Sequence, residues 1–158
     1  MALLLSNEER LSRCKAIVSR LYNEGWARGD FDLVFELLDP KVVWTAIEGA
    51  PDAGTYMGHE SVRRYMQDWL DDFDFQSGGL SIEESVEIGG RLVCVQRVTG
   101  TGRESGIRSE IRYACVYAFD EGERIAEVKE YATREEALAA ASRGGGQTPR
   151  RSTARTNR

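Results

Sequence analysis

Histidine, cysteine and proline are scarce in this 158-residue sequence, which has one His, three Cys and three Pro. The one histidine, His59, is expected to be exposed at the start of the third helix. Without a second histidine or clustered carboxylates, a metal site built from protein ligands is not expected. The cysteines, Cys14, Cys94 and Cys115, are odd in number and have no zinc-binding spacing. We therefore expect buried, reduced thiols and no metal.

Long apolar runs and nucleotide-binding motifs are also missing. No apolar run approaches the roughly 20 residues that span a membrane, and residues 3–5 are too short for the core of a signal peptide. There is no phosphate loop, GxSxG or HExxH, and Gly100 and Gly102 connect two predicted strands instead of opening a helix. We expect a cytoplasmic protein with no membrane partner, and no cofactor is implied.

Acidic residues are missing from the end of the chain. Residues 143–158 contain five arginines and no acid, so this segment carries +5 and the remainder carries −10 of the net −5. An acidic body repels phosphates, so no nucleic acid partner is expected. The composition predicts one domain over 1–142 and a disordered basic tail over 143–158.

The most regular pattern lies in the second half of the chain. Apolar residues occupy both faces over 111–119, which predicts a strand in the middle of a sheet. A hairpin turn follows, where Gly122 is expected to supply the positive φ, and the chain returns as a strand to Tyr131. Thr133 and Glu136 form a capping box that starts a helix.

The remaining elements follow from periodicity and capping signals. They are helices over 7–28, 31–38 and 62–73, strands over 42–47, 82–88 and 92–99, and a loop over 48–58. Ser6 and Asp30 are the predicted caps of the first two helices, and Tyr65 and Trp69 fall on the apolar face of the third. Helices followed by a run of antiparallel strands favour an α+β fold, with the helices on one face of a curved sheet that encloses a pocket. The opposite face carries Ala114, Val116 and Ala118, so it too must be covered.

The segment 109–137 resembles a known family. A strand ending in an aromatic residue, an Asp and Gly turn, a strand ending in Glu130 and Tyr131, and a helix beginning REEAL are similar to the SnoaL-like group. That group belongs to the nuclear transport factor 2 and ketosteroid isomerase superfamily, and the resemblance spans about 7–142. It implies a cone-shaped α+β fold with a small-molecule pocket, and a homodimer formed through the outer sheet face.

The resemblance and period-two alternation together predict which residues face the pocket. If the central strand points Tyr113 inward, alternation places Arg97 inward on its neighbour, and the family register places Glu130 inward. Tyr22 matches a family tyrosine. The full predicted set is Tyr22, Trp44, Glu48, Arg97, Thr99, Tyr113, Cys115, Tyr117 and Glu130.

The relatives' chemistry is only partly present. Ketosteroid isomerases use an Asp base with Tyr and protonated Asp donors, whereas this sequence has Ala46 and Cys115 at the positions of the two acids. Steroid isomerisation is therefore disfavoured. Arg97 and Glu130 resemble the arginine and one carboxylate of limonene epoxide hydrolase, but Thr99 stands at the other carboxylate. A polyketide cyclase needs mainly one acid, for which Glu130 is the candidate.

Two functional hypotheses follow. The first is a protein that binds an apolar small molecule and acts as an acid/base isomerase, polyketide cyclase or epoxide hydrolase, with Glu130, Arg97 and Tyr22 catalytic. The second is a non-catalytic binding or dimeric scaffold domain in which Arg97 and Glu130 form a structural ion pair. The fold hosts many functions, so the sequence leaves both open.

Overall fold

The computed structural model describes residues 6–144. Within that range the chain forms four α-helices and six strands. In order they are α1 (Asn7–Arg20), α2 (Phe31–Leu37), β1 (Leu38–Thr45), β2 (Thr55–Met57), α3 (Gly58–Asp72), β3 (Phe73–Ile88), β4 (Arg91–Gly102), β5 (Arg108–Phe119), β6 (Ile125–Tyr131) and α4 (Arg134–Gly144). The predicted tail begins inside α4, and the rest of it lies outside the described residues.

The first helical segment is longer than its α-helical part. The Ser6 hydroxyl accepts a hydrogen bond from the backbone N–H of Glu9 at 3.1 Å, which confirms the predicted start. After α1 the chain continues as a π-helical turn over Leu21–Gly25 and a 3₁₀ turn over Trp26–Arg28. Gly29 then ends the helix with a φ of 68°, as predicted.

The strands form one sheet in the order β2-β1-β6-β5-β4-β3. β5 lies between β4 and β6, which confirms the predicted central strand. The strands from β3 to β6 form the predicted antiparallel run. β1 pairs with β6 in parallel, which the sequence did not predict. The α+β class and the curved sheet are confirmed.

Several boundaries differ from the predictions. β1 begins at Leu38 and contains Pro40, which lies where the register with β6 is interrupted and no ladder N–H is required. The predicted 48–58 loop contains the short edge strand β2, and Phe73 begins β3 instead of ending α3. In the β5–β6 turn the positive φ belongs to Glu123, at 66°, and not to Gly122. The Asp120 carboxylate stabilises that turn by accepting the Arg124 N–H at 2.9 Å.

The chain itself covers the inner face of the sheet and part of the outer face. The main core lies between the inner face and the first three helices, whereas α4 packs on the outer face through Ala137 and Ala141. The prediction that all helices share one face is therefore wrong for α4. Beneath α4 lie Ala114 and Val116, the residues that suggested a dimer, and they are 0% and 8% exposed. The homodimer stays a prediction, but most of its apolar patch is already buried.

Candidate functional site

A cavity of about 260 Å³ lies between the helices and the inner face of the sheet. Its lining is mainly aromatic and aliphatic, which suits an apolar small molecule. The lining residues are Tyr22, Trp26, Ala27, Ile47, Ala50, Pro51, Asp52, Tyr65, Trp69, Phe75, Gly79, Leu80, Val98, Ile111, Tyr113 and Glu130.

Glu130 is the only acidic residue among the buried residues that the structure describes, at 7% exposed. It lies on β6, next to β1, where Trp44 pairs with Val128 and so faces the same side of the sheet. The Trp44 Nε1–H donates to Oε2 of Glu130 at 3.0 Å, and the Tyr65 hydroxyl donates to Oε1 at 3.1 Å. These donors hold the carboxyl in one orientation.

Burial decides the ionisation of Glu130. Desolvation raises the pKa of Glu130 to about 7. Hydrogen bonds from Trp44 and Tyr65 favour the carboxylate and lower the pKa, whereas the Asp52 carboxylate raises it again. Protonated and ionised Glu130 are therefore both well populated near neutral pH, as an acid/base catalyst requires.

Phenols and an amide form a second polar group beside the cavity. The hydroxyls of Tyr22 and Tyr117 are 3.0 Å apart, and the Tyr117 hydroxyl also forms a hydrogen bond with Oε1 of Gln96. Burial raises the pKa of both tyrosines well above the usual value, so both stay neutral. Within residues 6–144 the Nε2 group of Gln96 has no hydrogen-bond partner. Tyr22 thus lines the cavity and keeps a neutral hydroxyl.

The loop after β1 closes one side of the cavity. The Asp52 carboxylate accepts the Nε1–H of Trp69 at 2.9 Å, and the Asp52 carbonyl accepts the Tyr56 hydroxyl at 2.7 Å. These two bonds hold the loop against α3 and β2. They also place a second carboxylate at the cavity, which is a feature that the sequence analysis missed.

The opposite wall is formed by the irregular first half of β3. The Asn23 side chain accepts the Leu80 N–H at 2.7 Å and donates to the Leu80 carbonyl at 3.2 Å, which joins the π-helical turn to β3. A Cβ at Gly79 would lie 2.6 Å from Asn23 Oδ1, and one at Gly100 would lie 2.8 Å from the Phe75 ring. Glycine at these positions therefore permits the close contacts that shape the wall.

The structure brings several of the predicted site residues together. Tyr22, Tyr113 and Glu130 line the cavity, as expected. Trp44 and Tyr117 point to the same side but lie behind the lining, where Trp44 binds Glu130 and Tyr117 binds Tyr22. Cys115 is fully buried in the same core and does not line the cavity.

The inward orientation predicted for Arg97 and Thr99 is wrong. Cys94 pairs with Cys115 across β4 and β5, so the residues of β4 that face inward are even-numbered. Arg97 lies opposite Arg112 on the outer face and forms ion pairs with Glu83 and Glu110, each at 3.5 Å. A register shift by one residue moves every side chain of a strand to the other face. The expected Arg97–Glu130 pair does not form.

Two smaller expectations also need correction. Glu48 lies in a turn beyond the end of β1 and is exposed, so the strand does not carry it into the cavity. His59 was expected to be exposed, but it is half-buried, with Nε2 2.9 Å from the Leu38 carbonyl and its ring stacked on Phe35. These contacts give His59 a structural environment at the start of α3.

The sequence contained signals for some of the missed residues. Tyr65 and Trp69 were placed on the apolar face of α3, and their polar atoms were not assigned partners. Gln96 lies on the same face of β4 as Cys94 and Val98. Had the charged Arg97 been assigned to the solvent side, Gln96 would have been predicted to face the core. Asp52 had no comparable signal, because a loop carboxylate beside Pro51 is most often exposed.

Residues 6–144 contain no group of three or more His, Cys, Asp or Glu side chains placed to hold a metal ion. None of the helices within that range is long and apolar enough to cross a membrane.

Solved structures of proteins from several bacteria have the same fold. A provisionally assigned SnoaL-like polyketide cyclase from Jannaschia sp. CCS1 is 18% identical, with 89% of this chain and 98% of that chain covered and a TM-score of 0.65. A provisionally assigned isomerase from Bacillus subtilis is 17% identical, with 85% and 96% covered and a TM-score of 0.65. At these identities the likeness shows the fold alone.

A third structure contains a small molecule. It is a protein with a ketosteroid isomerase-like fold from Catenulispora acidiphila in complex with trimethylamine. It is 14% identical, with 84% of this chain and 97% of that chain covered and a TM-score of 0.60. No curated protein matches the sequence.

The family comparison covers most of the domain. The model of the SnoaL-like domain matches residues 18–128, which is 111 of the 158 residues and ends two residues before Glu130. Because that match covers more than half of the chain and agrees with the fold, this protein belongs to the SnoaL-like domain family.

Proposed function

We propose that the protein binds an apolar small molecule in the cavity and transfers a proton to or from it through Glu130. The observation that carries this proposal is the Glu130 carboxyl, 7% exposed and with a pKa raised to about 7, at the wall of an apolar cavity. A carboxyl in that state can act as an acid or as a base at neutral pH.

In this proposal the residues around Glu130 have separate roles. Trp44 and Tyr65 orient the carboxyl, and the neutral Tyr22 hydroxyl offers a hydrogen bond to a carbonyl oxygen that gains negative charge. This arrangement supports proton transfer next to a carbonyl group, as in an isomerase or a polyketide cyclase. The provisional names of two structural neighbours are of the same classes.

Two earlier alternatives lose support. Epoxide hydrolysis by the relatives' mechanism needs an arginine between two carboxylates, and Arg97 is on the other face of the sheet. The scaffold hypothesis assumed a structural Arg97–Glu130 pair, and that pair does not form. If Glu130 transfers no proton, the cavity is a non-catalytic binding pocket.

The base-catalysed ring opening of 5-nitrobenzisoxazole tests Glu130 without knowledge of the natural substrate. In this reaction a base removes the C–H proton, the N–O bond breaks and a coloured cyanophenolate forms. We expect the rate to rise with pH with a midpoint near 7, because only ionised Glu130 accepts the proton. Glu130→Gln should reduce the rate about 100-fold or more.

Glu48→Gln is the matched control, because it makes the same chemical change at an exposed carboxylate of a neighbouring turn. It should leave the rate unchanged. Equal rates for Glu130→Gln and the parent would contradict the proposal. A thermal-shift screen with polyketides, terpene epoxides and steroids then identifies the ligand class, since a ligand at about 100 times its Kd adds about 2.7 kcal/mol of stability.

A further inference from the structure

The charges around the cavity have one sign. Asp52 and Glu130 are the charged side chains that line it, and among the described residues no Lys, Arg or His does so. Asp52 raises the pKa of Glu130, so the two carboxyls act on each other electrostatically. An anionic ligand would be repelled by both groups, whereas a positive charge between them would be attracted by both.

The aromatic lining adds a second attraction for a cation. Trp26, Trp69 and Tyr65 line the cavity together with Phe75 and Tyr113. The Trp26 Nε1–H donates to the Met66 carbonyl and the Trp69 Nε1–H donates to Asp52, so neither polar edge needs a ligand partner. The π faces of such rings attract cations, and Trp attracts them most strongly.

The shortage of hydrogen-bond acceptors selects the kind of cation. A primary ammonium has three N–H donors, and desolvating them without partners is costly. Apart from the two carboxylates, the side chains that line the cavity offer only phenol oxygens. A fully alkylated nitrogen needs no acceptor, and its methyl groups suit aromatic surfaces. The cavity therefore fits a quaternary or tertiary ammonium group better than a primary one.

From these observations we infer that the ligand of this cavity carries an alkylated ammonium group, held between Asp52, Glu130 and the aromatic side chains. The inference rests on the proposed function, since it takes the same cavity as the binding site, and it adds the charge class of the ligand. The ammonium group lies beside the acid/base group, and the apolar remainder of the ligand fills the aromatic part.

The test compares two probes of the same shape. Phenyltrimethylammonium and tert-butylbenzene differ only in having N⁺ or carbon at the branched centre. Their Kd values are measured at pH 8 with the full-length protein by ligand-observed NMR. We expect the cation to bind about tenfold more tightly, which corresponds to about 1.4 kcal/mol.

Variants locate the source of that preference. Asp52→Asn removes the charge but keeps an oxygen that can accept the Trp69 N–H, and it should reduce the preference for the cation at least threefold. Asp32→Asn, the same change at an exposed position of α2, should not alter it. A preference that is unchanged in both Asp52→Asn and Glu130→Gln would overturn the inference.

The parent protein alone separates the two proposals. If tert-butylbenzene binds as tightly as the cation or more tightly, the apolar pocket is supported and the inference about charge fails. If neither probe binds, the inference fails and the cavity loses its support as a binding site, although the ring-opening assay still tests Glu130 independently. Both probes are measured on the parent protein, so the result does not depend on whether a variant folds.

Discussion

The two faces of the sheet place the same kind of side chain in opposite electrostatic states. On the inner face Glu130 is buried, has no cationic partner and has a pKa raised to about 7 by desolvation. On the outer face Glu84 accepts hydrogen bonds from Arg134, both at 2.8 Å, and its pKa is lowered mainly by them. Whether water or a cation is within reach therefore decides what a glutamate can do.

The comparison also separates stability from function. The outer face carries exposed ion pairs, which contribute little to stability individually. The inner face carries a carboxyl whose ionised form costs stability, and we propose that this carboxyl transfers the proton. Substitutions on the inner face should therefore change stability and activity more than substitutions on the outer face.

Trp44→Ala should have the largest effect on the inner face. Trp44 is fully buried and donates to Glu130, so the variant loses core packing and leaves a cavity. The free energy of unfolding should fall by about 3–5 kcal/mol, measured by urea denaturation. Trp44→Phe keeps most of the ring but not the N–H, and it should lose less. A loss below 1 kcal/mol for Trp44→Ala would contradict the packing described here.

Glu130→Gln should remove most of the pH dependence of stability between pH 5 and 8. The folded-state pKa of about 7 exceeds an unfolded value of about 4.3, so this stabilisation is complete below about pH 4 and is lost as pH rises through 7. The full span is about 4 kcal/mol. In urea denaturation at several pH values the parent should lose stability over this range and the variant should lose little.

Glutamine is a suitable replacement because it is neutral and can keep both contacts. Its oxygen can accept the Trp44 N–H, and its NH₂ group can donate to the Tyr65 oxygen. Arg97 lies on the other face of the sheet and does not pair with Glu130, so Glu130→Gln leaves no buried cation without a partner. Equal pH dependence in variant and parent would show that Glu130 does not titrate in this range.

Tyr65→Phe should raise the pKa of Glu130 further. The Tyr65 hydroxyl donates to Glu130 and favours the carboxylate, so its removal should shift the pKa upward by about one unit. The shift is measured by NMR titration of the ¹³C-labelled carboxyl. Tyr56→Phe is the control, because that hydroxyl donates to the Asp52 carbonyl instead. A lower pKa in Tyr65→Phe would contradict the assigned donor.

Arg97→Ala on the outer face should have the smallest effect. Its ion pairs with Glu83 and Glu110 are both at 3.5 Å, and its side chain is 37% exposed. The change should alter the free energy of unfolding by less than about 1 kcal/mol. It should leave the ring-opening rate unchanged, whereas a large loss of rate would restore Arg97 to the catalytic set.

The sequence predicted local structure well where a few neighbouring residues determine it. The side chains of the caps Ser6, Asp30 and Thr133 each accept a hydrogen bond from the backbone N–H three residues further on, as expected. The turn after β5 shows the limit of such reasoning. Asp120 holds it in a form whose positive φ falls on Glu123, beyond the glycine that appeared to be the natural choice.

The candidate site was only partly predictable. The error arose in β4, whose pattern does not show which residues face the cavity. Tyr22, Tyr113 and Glu130 were placed correctly because apolar periodicity and the family resemblance agreed on them. β4 is apolar on both faces, so its pattern was compatible with an inward Arg97 or an inward Gln96. The pairing of Cys94 with Cys115 shows that Gln96 faces inward and Arg97 outward.

Local periodicity and a contiguous motif were enough to predict the α+β class, the central strand, the SnoaL-like family and Glu130 as an acidic residue of the cavity. Each of these depends on residues that lie close together in the sequence. The folded chain was needed to show that α4 packs on the outer face, that Tyr65 and Trp44 hold Glu130, and that Asp52 lines the same cavity. Those contacts join residues 17 to 86 positions apart, and no local pattern encodes which distant side chains will meet.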